Sequence, residues 1–199
     1  MGARTSRLMV MFTAFVAGLA LCLGVILVVG GRGSGTGAIQ TAAIGGPFHL
    51  IDQDGRPFSD KDLKGKTFLV FFGFTHCPDV CPTTLFEISE IMRNLGPEAD
   101  RTAALFISVD PERDTPQAMK DYLSSFDPHV HGLTGDSTAL TAAAKAYRVY
   151  YKKVPLDGGD YTMDHTAIVY LMDKEGRFVS PFNMKRTAEA AAADLRRRL

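Results

Sequence analysis

The chain has 199 residues, room for one domain and an appendage but not for two ordinary domains. Its 22 Lys and Arg are balanced by 22 Asp and Glu, so the formal net charge is zero. That balance excludes the basic surplus with which proteins grip the phosphates of nucleic acid.

Residues 1–7 read as a short cytoplasmic tail containing Arg4 and Arg7. From Leu8 to Val29 no residue is charged, which matches the roughly 20 apolar residues that cross a bilayer as a helix. Residues 8–29 are therefore expected to be a transmembrane anchor. A cleavable signal has a shorter apolar stretch, about 7–15 residues, and a small-residue cleavage site that Gly30-Gly31-Arg32-Gly33 does not supply. Leu21 stands where a small residue would precede a lipid-modified cysteine, so Cys22 reads as a small apolar residue within the membrane. Arg4, Arg7 and the amino terminus precede the span, against Arg32 alone just after it. By the positive-inside rule the folded part faces the periplasm, or the intermembrane space of an organelle, on a single-pass inner-membrane protein.

Between Gly30 and Gly46, glycine recurs with Ser and Thr, a composition that forms no core. Residues 30–46 are a flexible linker with a typical reach of about 20–24 Å. Residues 47–199 form the folded domain. Phe48 to Ile51, the turn signal Asp54-Gly55, and Pro57-Phe58 predict a small hairpin. Thr67 to Phe74 and Ala103 to Val109 are continuous apolar runs, as expected of two central parallel strands covered on both faces. Leu85, Ile88, Ile91, Met92 and Leu95 recur at helical spacing between them.

Thr115-Pro116 caps a second helix through Met119, Tyr122, Leu123 and Phe126, and a third follows Asp136 with Leu140, Ala143, Ala144 and Tyr147 on one face. Thr166 to Met172 and Arg177 to Ser180, joined by a turn at Asp173 to Gly176, predict a late antiparallel hairpin. An Ala-rich helix closes the chain from about Thr187. This is the α/β order of a thioredoxin-like fold with an N-terminal hairpin.

The strongest chemical signal, Phe74 to Pro82, lies where a buried strand ends and a helix begins, and it holds Cys77 and Cys81. Thiols four apart in a first helical turn project to one side, and the free N–H groups there favour thiolate, so low thiol pKa values are expected. A structural disulfide is one reading, although so small a loop restrains little of the unfolded chain. Structural zinc is another, but no second Cys/His pair completes four ligands. A redox pair is a third, with three intervening residues where Cys-x-x-Cys has two.

Asp164-His165 precedes the late hairpin, in a loop that faces the cysteine-bearing helix in thioredoxin-like folds. A lone histidine at a strand end is ordinarily a polar surface residue. Placed there, His165 joins two soft thiolates in a three-ligand set suited to copper, Cu(I) or Cu(II), with an open position. Other candidates weigh less. His76 is expected to point away from its neighbouring cysteine, Met163 to be packing, and His129 and His131 to lie in a solvated loop. Asp110 to Asp114 reads as a loop leading into a helix and as a potential docking surface, with Asp79 and Asp164 tuning charge near the metal.

Three segments, GFTHCPDVCPTTL (Gly73 to Leu85), SVDPERDTP (Ser108 to Pro116) and DHTAIVYLMDKEGRF (Asp164 to Phe178), resemble the Sco/SenC copper-binding proteins over about residues 46–199. The resemblance implies a thioredoxin-like fold and copper held by Cys77, Cys81 and His165. It also implies a role in assembling the dinuclear copper centre of cytochrome c oxidase subunit II, with another copper chaperone as a potential donor. A thiol-disulfide oxidoreductase that uses Cys77 and Cys81 to keep that centre's cysteines reduced is the alternative. A peroxiredoxin-like peroxidase shares the fold, but no peroxide-activating constellation is evident.

Overall fold

The computed structural model describes Thr13, residues 15–25 and residues 44–199. Residues 15–25 are helical, with Phe15, Leu19, Leu21 and Leu23 exposed. Among the described residues no helix is long and apolar enough to cross a membrane. The remainder of the expected anchor and the linker up to residue 43 lie outside the described residues.

The domain is built on strands that the sequence makes apolar from end to end. β1 (His49–Asp52) and β2 (Pro57–Ser59) form the expected first hairpin. β3 (Thr67–Gly73) and β4 (Thr102–Ser108) are buried at every position and pair in parallel from Thr67 opposite Thr102 to Gly73 opposite Ser108. A third parallel strand, β5 (Val130–Thr134), extends β4. The sequence alone predicts two parallel strands and a loop here. With Gly132 at its centre and only five residues, this strand shows no long apolar run. A Cβ at Gly132 would meet Leu123 Cδ1 at 2.5 Å, so the glycine is what lets the second helix lie close against the strand.

α1 (Val80–Leu95) crosses from β3 to β4 and buries Cys81, Leu85, Ile88, Ile91, Met92 and Leu95, the periodic face expected. α2 (Pro116–Leu123) begins at the Thr115 cap, whose side chain accepts from the Ala118 amide, with Pro116 at its first position. α3 (Ser137–Ala146) begins at Asp136, which accepts from the Ala139 amide. The chain then departs from expectation. β6 (Tyr151–Pro155) and β7 (Tyr161–His165) form a separate two-stranded antiparallel ribbon that pairs with no strand of the main sheet. β8 (Val169–Met172) and β9 (Phe178–Pro181) are the late hairpin, starting three residues after the expected Thr166, and α4 (Ala188–Arg196) closes the domain from the Thr187 cap.

The main sheet runs β2-β1-β5-β4-β3-β8-β9, with β8 antiparallel to β3. Its β3-α1-β4 crossover and β8-β9-α4 closing unit make the thioredoxin-like arrangement. Phe68, Phe71, Phe72, Phe106 and Tyr147 are among the largest fully buried side chains at its centre. The cysteine motif therefore emerges from the carboxyl end of the most deeply buried strand, on a rigid support.

Candidate metal centre

Gly73 ends β3, and the next residues turn out of the sheet into α1. The turn is held from inside. Thr75 donates both its amide (3.2 Å to Oδ2) and its hydroxyl (2.6 Å to Oδ1) to Asp114, which also accepts from the Ser108 hydroxyl at 2.6 Å. Asp114 is fully buried, and burial raises its pKa against the lowering effect of these donors. The Asp110 to Asp114 segment is, as expected, the loop that leads into α2. Within it Asp110 and Asp114 are buried, and their carboxylates accept from Arg113 and Tyr161 and from Thr75 and Ser108 respectively.

Cys77 is half-buried and Cys81 fully buried, and both are free thiols. The Cys81 amide, in the first turn of α1, donates to Cys77 Sγ at 3.4 Å, so a free helix-end N–H does point at a sulfur. The expectation of a low thiol pKa fails for Cys81. Its side chain projects into the core rather than along the helix axis, and loss of solvation pushes its thiol far above the ordinary value. Gly73 creates the space for it, since a Cβ there would lie 2.7 Å from Cys81 Sγ and 2.6 Å from Phe106 Cε2.

His165 arrives from the other side as the last residue of β7, a strand end rather than the expected open loop. Its Nε2 lies 3.7 Å from Cys81 Sγ, and Nδ1 lies 3.2 Å from the Thr166 carbonyl oxygen. A carbonyl only accepts, so Nδ1 carries the proton and Nε2 turns a lone pair toward the sulfurs. The ring stands edge-on to Phe74 (centroids 5.7 Å apart) and Phe71 (6.3 Å), and burial lowers its pKa, keeping it neutral.

One donor atom from each of Cys77, Cys81 and His165 lies within 4.8 Å of the other two. Around a trigonal or tetrahedral ion with bonds of about 2.0–2.3 Å, donors stand roughly 3.3–4.0 Å apart, so these three fit one ion after a small closure. Acting as ligands, these three, two of them soft, would leave a position open to a shallow depression lined by Pro78, Asp79, Val80, Met163, Asp164 and Ala167. Asp79 and Asp164 are exposed beside it, where they favour an approaching cation.

The lesser candidates are placed as follows. His76 is exposed and bonds Thr75 Oγ1 at 3.0 Å, outside the cluster, as expected. His129 lies, as expected, in the loop between α2 and β5, whereas His131 does not. His131 is within β5, and His129 is tied to Asp127 (2.7 Å) and Asp100 (3.1 Å). Met163 lies two residues before His165 on β7, so it shares that face and the depression as well as packing on the core.

The sequence reading missed two supports. Gly73 stood unremarked at the end of the apolar run, and Tyr161 was not singled out, although Tyr161, Met163 and His165 alternate in register along one strand face. Tyr161 donates its hydroxyl to Asp110 at 2.8 Å. Burial together with that bond pushes the hydroxyl up to about 12, so it remains a donor at neutral pH.

A family profile described as SCO1/SenC matches residues 36–199. The chain belongs to the SCO1/SenC family. It is 46% identical over 142 residues to the Arabidopsis thaliana protein SCO1 homolog 1, mitochondrial, covering 69% of this chain and 42% of that relative. It is 40% identical over 168 residues to the human protein SCO2 homolog, mitochondrial, covering 82% and 63% respectively. The chain thus spans about two fifths and under two thirds of the lengths of these two SCO1/SenC relatives. Among solved structures it is similar to Bradyrhizobium japonicum ScoI with copper bound (67% identity, TM-score 0.77, 79% of this chain and 100% of that one). It is also similar to yeast Sco1 with copper bound (39% identity, TM-score 0.71, 78% and 87%).

Proposed function

We propose that this chain is a membrane-anchored copper chaperone that receives copper at Cys77, Cys81 and His165 and delivers it toward the dinuclear copper centre of cytochrome c oxidase subunit II. One observation carries the reading: two thiol sulfurs and an imidazole whose Nε2 lone pair faces the Cys81 sulfur converge within 4.8 Å at the edge of an open depression. The solved relatives bound to copper support the choice of metal. Copper is cargo in this scheme. Two thiolates suffice for Cu(I), whereas Cu(II) draws on the imidazole. An open three-ligand site releases an ion by stepwise exchange, with an incoming thiolate taking the vacant position before a resident one leaves. The uncharged segment 8–29 would anchor the domain beside its recipient on the periplasmic or intermembrane-space face, and the 30–46 linker would let it approach at several angles.

The test is anaerobic copper titration of the full-length chain, wild type beside His165→Ala. Wild type is expected to bind one copper per chain, with sulfur-to-copper charge-transfer bands in the Cu(II) form. His165→Ala should weaken Cu(II) more than Cu(I), and an unchanged Cu(II) affinity would remove the imidazole from the site.

A second reading, thiol-disulfide reduction of the recipient's cysteines, is favoured by the unequal depth of the two sulfurs. The more accessible Cys77 would attack the partner disulfide to form a mixed disulfide, and Cys81 would then displace the partner. Two partner thiols are released as Cys77 and Cys81 are oxidised to one disulfide. A reduced chain that leaves the disulfide of a subunit II domain intact would exclude it.

A further inference from the structure

The ribbon that carries His165 is attached to the rest of the domain in an unusual way. β6 and β7 pair only with each other, so no ladder of the main sheet fixes where β7 lies. At its base the Thr166 amide donates to the Tyr150 carbonyl (2.9 Å) and the Tyr150 amide to Thr166 Oγ1 (3.1 Å), which closes the ribbon on itself. On one flank the Tyr151 and Thr141 hydroxyls meet at 2.8 Å, tying β6 to α3. The ties from β7 run to the turn between β4 and α2.

There Asp110 and Arg113 grip Tyr161 from three directions. The Tyr161 hydroxyl reaches Asp110 Oδ1 at 2.8 Å, the Tyr161 carbonyl accepts from Arg113 at 3.0 Å, and the Arg113 guanidinium lies over the Tyr161 ring 3.8 Å from its centroid. Arg113 is itself oriented by Asp110 Oδ2 at 2.5 Å and reaches Asp160 at 3.4 Å. It also stands 5.9 Å from the Phe74 ring, the ring whose neighbour is His165. Lys153 on β6 adds an exposed contact to Glu112 in the same turn. The turn is built on the end of β4, the strand next to the one that leads into the cysteines, so it shares their rigid frame.

We propose that Asp110, Arg113 and Tyr161 are positioning residues that latch the β6–β7 ribbon to this frame and thereby hold His165 Nε2 against the two sulfurs. The inference rests on the copper reading only for its effect on metal binding, because the placement of the imidazole is a property of the metal-free chain. With the latch intact, the third ligand is pre-organised. With it released, Cys77 and Cys81 keep their helix-tip geometry while His165 samples positions away from them. The latch therefore sets the affinity of the form that needs the imidazole and leaves the dithiolate form alone.

The test uses Tyr161→Phe, which keeps the ring under Arg113 and deletes only the hydroxyl, and Arg113→Lys, which keeps the charge and deletes the fork. In metal-free full-length chain, nitrogen-15 spectra of the His165 ring are expected to show faster solvent exchange of the Nδ1 proton in both variants. In copper titrations, Tyr161→Phe should weaken Cu(II) by up to about tenfold, the scale of one hydrogen bond to a carboxylate, and Cu(I) by less than about twofold. The same change made in a His165→Ala background should have no further effect on Cu(II). Unaltered His165 exchange in both variants would overturn the latch, whatever the copper data show. An equal loss of Cu(I) and Cu(II), or a loss that persists without His165, would also overturn it. If His165→Ala alone leaves Cu(II) binding unchanged while the exchange effect is present, the latch stands and the ligand role of His165 is what fails.

Discussion

Replacing Gly73 by Ala tests whether the end of β3 is shaped around a sulfur. Gly73 has an ordinary strand conformation, so on backbone grounds alone Ala would stabilise the strand by roughly 0.5–1 kcal/mol. The packing term has the opposite sign. The new methyl would lie 2.6 Å from Phe106 Cε2 and 2.7 Å from Cys81 Sγ, and both neighbours are fully buried. To reach an ordinary contact of 3.4 Å, the sulfur would have to move about 0.7 Å or the strand retreat by as much. Overpacking of this kind costs about 1–3 kcal/mol, enough to outweigh the propensity gain. For a domain of this size each kcal/mol lowers the melting temperature by about 2–4 °C. Gly73→Ala should therefore melt several degrees lower and bind Cu(I) more weakly, since a ligand displaced by more than about 0.5 Å leaves productive geometry. The assay pairs thermal unfolding with competition for Cu(I) by a chromophoric chelator, with Gly46→Ala as control, where the added methyl meets only Ala146 Cβ at 3.6 Å. A Gly73→Ala chain as stable as wild type, with unchanged Cu(I) affinity, would refute the claim that Cys81 is held by the space this glycine leaves.

Two further outcomes follow from burial and charge. With the metal-free, reduced chain, iodoacetamide should modify Cys77 well before Cys81, because Cys81 has no exposed surface and burial raises its thiol pKa; peptide mapping that found equal rates would contradict the depth assigned to Cys81. His129 gives a pH effect of defined sign. Burial opposes its protonation, but the Asp100 and Asp127 carboxylates outweigh burial and raise its pKa. The extra stability is then fully present below the ordinary histidine value and is lost as pH rises through the raised one. His129→Gln should shrink the difference in urea midpoint between pH 5.5 and pH 8, and a variant with the wild-type pH profile would refute the pairing.

Most of the frame was legible because its elements carry their burial in their own composition. β3 and β4 are apolar at nearly every position, and α1 repeats its large residues every three or four places. Thr115, Asp136 and Thr187 announce three helix starts by a side chain that accepts from the amide three residues on. β6 and β7 gave no such sign. YKKVP places two lysines side by side and ends in proline, and YTMDH is mixed, because a ribbon that stands off the sheet buries neither face completely. The thiol error has a different origin. Sequence position brings Cys81 to a helix end, where the dipole favours thiolate, but the direction of the Cα–Cβ bond decides how deep the sulfur lies, and desolvation at that depth is the larger effect.

The division of the ligand set between two substructures has a consequence for transfer. Cys81 sits in the first turn of α1, fully buried against a sheet strand with no exposed residue, and can shift only by deforming the core, while Cys77 lies in the turn just before the helix and accepts from the Cys81 amide. His165 sits on a ribbon that pairs with no strand of the main sheet and is tied to the frame largely by side-chain contacts, so its withdrawal disturbs less of the core than movement of Cys81. In the copper reading, an ion leaving this site would therefore lose the imidazole first and pass through a two-sulfur state. That state suits Cu(I), the softer form, and leaves the widest approach for a recipient's thiolate. In that reading the order of ligand loss would follow from which side chains are anchored by the sheet and which by the proposed latch.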